Sequence, residues 1–143
     1  RANKALKLNR IEKNIQFECM DVKEYKKSNY FDVIISNPPY MDDNGKKINE
    51  NEHKAISRHE IKLSLSELIS NAKRLLKPIG LLFFIHRTHR LVEIIKALDK
   101  NNFSIKKIIF IYSAQNNKST MMFVEAVKGK KIKLEIQNYY IYH

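Results

Sequence analysis

Short apolar runs alternate with amphipathic stretches along this chain. Phe31-Asp32-Val33-Ile34-Ile35-Ser36 and Leu81-Leu82-Phe83-Phe84-Ile85 are nearly continuous in apolar residues. Such runs predict strands buried inside a parallel sheet. Ile15-Gln16-Phe17-Glu18-Cys19-Met20 alternates and then turns apolar, which predicts a strand ending at Asp21. Residues 103–112 and 120–127 predict two more strands, joined by a polar loop. Residues 132–141 alternate as a strand does, with no place assigned in the sheet.

Helical spacing fills the gaps between these runs. Residues 53–77 read as helical, in one piece or two, with Ile61, Leu63, Leu65, Leu68, Ile69, Ala72, Leu75 and Leu76 carrying the apolar pattern and Ser64 or Ser66 as cap of the second piece. Pro78-Ile79-Gly80 predicts the stop. Residues 89–99 form a second amphipathic pattern, with Leu91, Ile94, Ile95 and Leu98 on one face. Residues 1–8 read as the last turns of a helix, 22–27 as a short helix or turn, and 41–52 as a polar loop.

Strand–helix alternation argues for an α/β sheet with helices on both faces. The last strands have no helix between them and predict an antiparallel hairpin at the sheet edge. Ligands of such sheets sit beyond the carboxyl ends of the strands. Asp21, Asn37 and His86 stand at those ends.

Composition narrows the class. With 143 residues, 43% of them hydrophobic, the chain can bury one core. The single cysteine, Cys19, rules out an intrachain disulfide or a Cys-rich zinc site. No histidine spacing points to a metal. No apolar run approaches the roughly 18 residues of a membrane helix, and no signal peptide is visible, so a cytoplasmic setting is expected. The formal charge of +12 implies a polyanionic partner, nucleic acid above all. The start at Arg1, without methionine, is what a piece of a longer protein would show.

Asn37-Pro38-Pro39-Tyr40 carries the most specific chemistry. Two prolines fix the backbone and remove two N–H donors, and a residue before proline is kept out of the helical region. The Asn37 amide oxygen and the Pro38 carbonyl can then face one target, with the Tyr40 ring beside them. Two acceptors and a flat ring suit a planar amine. A nucleobase amine and a glutamine side-chain amide both qualify.

With the elements in this order, the chain resembles class I S-adenosylmethionine-dependent methyltransferases. More narrowly, it is similar to the bacterial adenine-N6-methyltransferases that modify valine tRNA beside the anticodon. The supporting stretches are Asn37-Pro38-Pro39-Tyr40, Ser57-Arg58-His59-Glu60, Ala72 to Gly80, His86-Arg87 through Arg90-Leu91, and Met122-Phe123-Val124-Glu125-Ala126. The resemblance implies a Rossmann-like sheet with strand order 3-2-1-4-5-7-6, of which this chain would hold the third to seventh strands. The whole of 1–143 would then be the C-terminal part of one methyltransferase domain. It also implies S-adenosyl-L-methionine as cofactor, tRNA as partner, and no membrane.

What the resemblance implies for single residues follows. Asn37 and Pro38, with Pro39 shaping the turn, would hold the target amine, and Tyr40 would stack on the flipped base. Asp21, flanked by Met20 and Val22, would reach the cofactor adenine, with Asn37 also bordering the cofactor. As a plain helix cap, Asp21 has an ordinary reading too. Arg58, His59, Lys46, Lys47, Arg87, Arg90 and Lys118 would contact nucleic acid, with His86 and His89 in the same basic cluster. The family's glycine-rich loop has no counterpart, because the only glycines are 45, 80 and 129. Its first two strands are missing as well. The chain alone is expected to bind cofactor poorly, unless residues before Arg1, a partner chain or a swapped sheet in a dimer fill the gap. Rival readings are a glutamine methyltransferase of release factors, a DNA adenine methyltransferase, and a non-catalytic nucleic-acid-binding fragment.

Overall fold

The structure is a computed structural model that describes residues 14–38, 64–113 and 118–141. The helix expected at 1–8, the loop at 41–52 and the helical stretch at 53–63 lie outside the described residues, as do Pro39, Tyr40, Lys46, Lys47, Arg58 and His59.

A five-stranded mixed sheet organises the rest. Its strands are β1 (Phe31–Ser36), β2 (Leu76–Arg87), β3 (Phe103–Ser113), β4 (Met121–Lys128) and β5 (Glu135–Ile141), in spatial order β1-β2-β4-β3-β5. β1 and β2 are parallel, β4 runs antiparallel to both β2 and β3, and β5 is parallel to β3. The carboxyl ends of β1, β2, β3 and β5 therefore share one end of the sheet.

Two helices, α1 (Leu65–Leu75) and α2 (Leu91–Lys100), join the strands. Ser64 opens α1 with a capping box. Its Oγ accepts from the Glu67 N–H at 3.2 Å, and the Glu67 carboxylate accepts from the Ser64 N–H at 2.8 Å. α1 buries Leu65, Leu68, Ile69, Ala72 and Leu75, and α2 buries Ile94 and Leu98. They pack with Leu82, Phe84, Ile108, Met122, Val124 and Ala126 in one cluster. Because strand side chains alternate between faces, both described helices lie on the same face of the sheet.

The opposite face carries Val33 across from Leu81, Ile35 across from Phe83, and Phe123 between Ile85 and Ile109. Phe83 and Phe123 stack there with ring centroids 5.8 Å apart. Ile35 is 79% exposed and Val33 45%. Coverage on both faces was expected; among the described residues it is one-sided.

The largest difference from expectation is at residues 15–20. They form no strand, and residues 14–20 are exposed throughout. The pattern was apolar enough, but a strand needs a neighbour for its N–H and C=O groups. In the expected order that neighbour is the second strand, which has no counterpart among the described residues. The antiparallel β3–β4 pair forms as expected but is internal, since β5 takes the edge. The Rossmann-like α/β class stands.

Pro78-Ile79-Gly80 does not separate a helix from a later strand. α1 ends at Leu75, β2 starts at once, and the three residues form a bulge where the β1–β2 register jumps from Leu76 to Leu81. Gly80 is required at that bulge. A Cβ there would meet the Lys77 carbonyl oxygen at 2.9 Å and the Leu76 side chain at 3.0 Å. Ile79 sits at φ 63°, a left-handed conformation that a β-branched residue rarely takes. Gly80→Ala should destabilise the fold by about 1–3 kcal/mol, and Ile79→Gly should stabilise it by about 0.5–1 kcal/mol. Chemical denaturation of both variants measures the opposite signs.

Candidate active site

The site is built where β1 ends. Ser36 is the last residue of β1 and pairs with Phe84, so Asn37 and Pro38 come alongside Ile85 and His86 of β2. Asn37 is exposed and Pro38 is buried. Burial of the ring locks the chain direction just past Asn37, which is the stiffness expected of an Asn-Pro pair. An exposed Asn37 next to a buried proline suits a contact with a ligand at the strand end.

β2 supplies the second wall. His86 is 2% exposed and faces the helix side with Met122 across from it. Its Nδ1 accepts the Arg87 N–H at 2.9 Å, a bond that only an unprotonated Nδ1 can make. Burial, and then the Arg90 charge, push its pKa below the ordinary histidine value. Arg87 and Lys118 are exposed at the same end. The segment holding Lys118 is tied to β2 by Thr88, whose N–H donates to the Thr120 carbonyl at 3.1 Å and whose hydroxyl lies 3.2 Å from Ser119 Oγ. Arg90 is placed differently from Arg87. Its side chain is only 11% exposed and pairs with Glu93. Arg87 and Lys118 are the more exposed cations.

Asp21 caps the 3-10 turn Val22–Glu24. Its Oδ1 accepts from the Lys23 N–H at 2.9 Å, and Lys23 Nζ lies 3.7 Å from Oδ2. The ordinary reading of Asp21 as a cap is thus realised. A carboxylate has about four acceptor positions, so capping leaves others for a ligand amine. Met20 is 46% exposed, and Val22 is partly buried.

Arg74, which the sequence did not single out, holds this segment in place. Its guanidinium donates to the carbonyls of Tyr25 at 2.6 Å, Lys27 at 3.0 Å and Val22 at 3.1 Å, and to Asn71 Oδ1 at 3.2 Å. The α1 end adds carbonyls of its own: Asn29 and Tyr30 donate their N–H groups to Arg74 and Leu75. Lys128 Nζ donates to Asn29 Oδ1 at 2.9 Å and to the Leu76 carbonyl. Burial, and then the nearby Lys73 charge, lower its pKa. So α1 and β4 together fix residues 22–30, and with them Asp21 and the start of β1. No periodicity marks such tethers. A long cation near a helix end is the only signal, and it is a weak one.

Among the described residues, no group of three His, Cys, Asp or Glu side chains is placed to hold a metal. None of their helices is long and apolar enough to cross a membrane.

The family model of the Eco57I restriction-modification methylases matches residues 2–119. The chain belongs to that family. Among curated proteins it is similar to the tRNA1(Val) (adenine(37)-N6)-methyltransferase of Aliivibrio fischeri, 28% identical over 105 residues, covering 73% of this chain and 44% of that protein. The enzyme of the same name from Phocaeicola vulgatus is 38% identical over 66 residues, covering 46% of this chain and 27% of that protein. The chain thus spans less than half the length of these curated relatives. Among solved structures, a predicted O-methyltransferase, protein Atu636 of Agrobacterium tumefaciens, superposes with TM-score 0.63 at 21% identity, over 99% of this chain and 62% of that one. A putative S-adenosylmethionine-dependent methyltransferase of Listeria monocytogenes gives TM-score 0.55 at 14% identity, over 86% and 76% of the two chains. Both likenesses establish the methyltransferase-type α/β fold.

Two outcomes test the site's framework. Arg74→Lys keeps the charge but cannot span three carbonyls; it should cost about 1–3 kcal/mol in thermal or chemical unfolding. His86 gives a pH signature. Its folded-state pKa lies below its unfolded value of about 6.5, so the unfolded chain binds the extra proton and stability falls as pH drops below about 6.5. Glu67 and Glu93 are held below their ordinary 4.5 and act only in more acidic solution. Melting temperatures between about pH 7.5 and 5 should therefore decline in the parent and flatten in His86→Gln.

Proposed function

We propose that this chain forms the target-binding part of an S-adenosylmethionine-dependent methyltransferase that modifies the N6 amine of an adenosine in tRNA. The observation that carries the reading is Asn37-Pro38, exposed amide and buried ring, at the carboxyl end of β1. Pro39 and Tyr40 follow in sequence, in a chain of a methylase family. The relatives named as tRNA1(Val) adenine-N6-methyltransferases, together with the +12 charge, favour RNA as the carrier of that adenine.

The chemistry follows from the acceptors. An aromatic amine is a poor nucleophile while its lone pair is conjugated with the ring. Asn37 Oδ1 and the Pro38 carbonyl each accept one of its N–H groups and favour a geometry in which the lone pair is turned out of conjugation. Fixed acceptors also stabilise the positive charge that grows on the nitrogen, without reorganisation during the step. Tyr40 is proposed to stack on the base once it leaves the RNA stack. S-adenosylmethionine, when bound, supplies an electrophilic methyl group. The residues described fit one side of that cofactor: the spare acceptor positions of Asp21, with Met20 and Val22 beside it, suit its adenine. Arg87 and Lys118, with Lys46, Lys47, Arg58 and His59 from the sequence, are proposed for phosphate contact.

A second reading, methylation of adenine in DNA, is favoured by one observation, the restriction-modification description of the matched family. Transfer of labelled methyl groups by the full-length protein to a valine tRNA transcript and to duplex DNA separates the two. N6-methyladenosine in the digested tRNA is the expected product. Asn37→Ala should lower kcat by about 100-fold or more, while calorimetry shows cofactor affinity changed little. Near-normal turnover by Asn37→Ala would overturn the assignment of the acceptor pair.

A further inference from the structure

Residues 129–141 have no role in the reading above. Lys128-Gly129-Lys130-Lys131-Ile132-Lys133 leads into β5, and residues 129–141 are exposed throughout. β5 is an edge strand, paired on one side with β3. Its parallel pairing puts Tyr139 and Tyr140 toward the sheet end that holds Asn37 and sends the lysine run toward the other end.

Charge decides what can lie along this edge. Glu135 is the sole acid in residues 128–141, and it is engaged by Lys107 at 3.3 Å and by Gln137. No carboxylate among the described residues is paired with Lys130, Lys131 or Lys133. A solvated lysine run alone would be ordinary surface. Here exposed rings accompany it: Tyr139 is 60% exposed, and Tyr140, 48% exposed, is stacked on Tyr112 at 5.1 Å and 21°. Exposed rings at one end of the strand and unpaired cations toward the other suit the bases and the phosphates of a nucleic acid laid along it. A second copy of the chain would bring an identical lysine run against this one, with +12 on each molecule opposing the approach.

Distance fits the same partner. β5 lies four strand spacings from β1, about 19 Å at ~4.8 Å each, and its seven residues extend about 23 Å along the edge. An RNA whose target nucleotide enters at Asn37 has to continue across the sheet end. We propose that β5 and the lysine run before it form a docking edge for the RNA that flanks the target nucleotide. Tyr139 and Tyr140, one on each face of the strand, lie nearest the site, and Lys130, Lys131 and Lys133 hold phosphates farther along. This surface rests on the reading of the substrate as RNA, and it is separate from the cations near Arg87.

Fluorescence-anisotropy binding of an unmodified valine tRNA transcript tests it, using the full-length protein. The triple variant K130E/K131E/K133E should weaken binding at least tenfold. The steepness of log K against log salt should fall by about 2–3, one phosphate contact per lysine. The corresponding triple Lys→Arg variant should keep both. Tyr139→Ala should weaken binding several-fold with the salt slope unchanged, since stacking carries no counterion release. These side chains are exposed, and unchanged melting temperatures confirm that the variants fold. Unchanged affinity and slope in the Glu variant overturn the docking edge. So does a change in sedimentation without a change in tRNA binding, which would assign β5 to self-association. If the parent binds duplex DNA and not tRNA, the RNA reading itself fails, and the docking edge falls with it.

Discussion

One apolar layer, pressed between a single face of the sheet and two helices, holds everything else in position. Ile69, Leu82, Phe84, Ile94, Leu98, Met122, Val124 and Ala126 are fully buried in it. Core packing at crystal-like density gives such side chains little freedom. β2 contributes Leu82, Phe84 and His86 to that face, so its carboxyl end is fixed by the layer beneath it. β1 inherits this precision through its parallel register with β2, and Asn37 inherits it from β1. An amide that must meet an amine within a few tenths of an ångström needs such a chain of support.

Polar tethers extend the support where the apolar layer ends. Arg74 gathers three backbone carbonyls from residues 22–27, and Lys128 reaches from β4 to Asn29. Arg74 thereby satisfies backbone carbonyls of a segment that forms no strand, and Lys128 ties the Asn29 side chain to β4. The strain at Ile79 belongs to the same economy of constraints. α1 must turn straight into β2, and the bulge at Pro78–Gly80 absorbs the mismatch.

Elements with strong periodicity were legible in the sequence. α1, α2 and the apolar cores of β1 and β2 follow their patterns, and Ser64 rather than Ser66 caps α1. What failed to show was pairing. Residues 15–20 have a strand pattern and no ladder, whereas residues 132–141, left without a place, contain the edge strand. Periodicity reports which face a residue prefers and says nothing of which neighbour is available. At the site, the Asn37-Pro38 word was readable because proline chemistry is local. The engagement of Arg90 by Glu93, and the grip of Arg74 on residues 22–27, come from tertiary geometry.

The one-sided pairing of β1 has a consequence for how the site holds together over time. Among the described residues β1 is bonded along one edge, while β2 and β4 are bonded along both. Free energies of local opening track such differences. Within the described residues the ladder with β2 is what ties β1 to the sheet, so the placing of Asn37 depends on that ladder. A ligand that engages Asn37 is expected to stabilise the ladder and to slow amide exchange along β1.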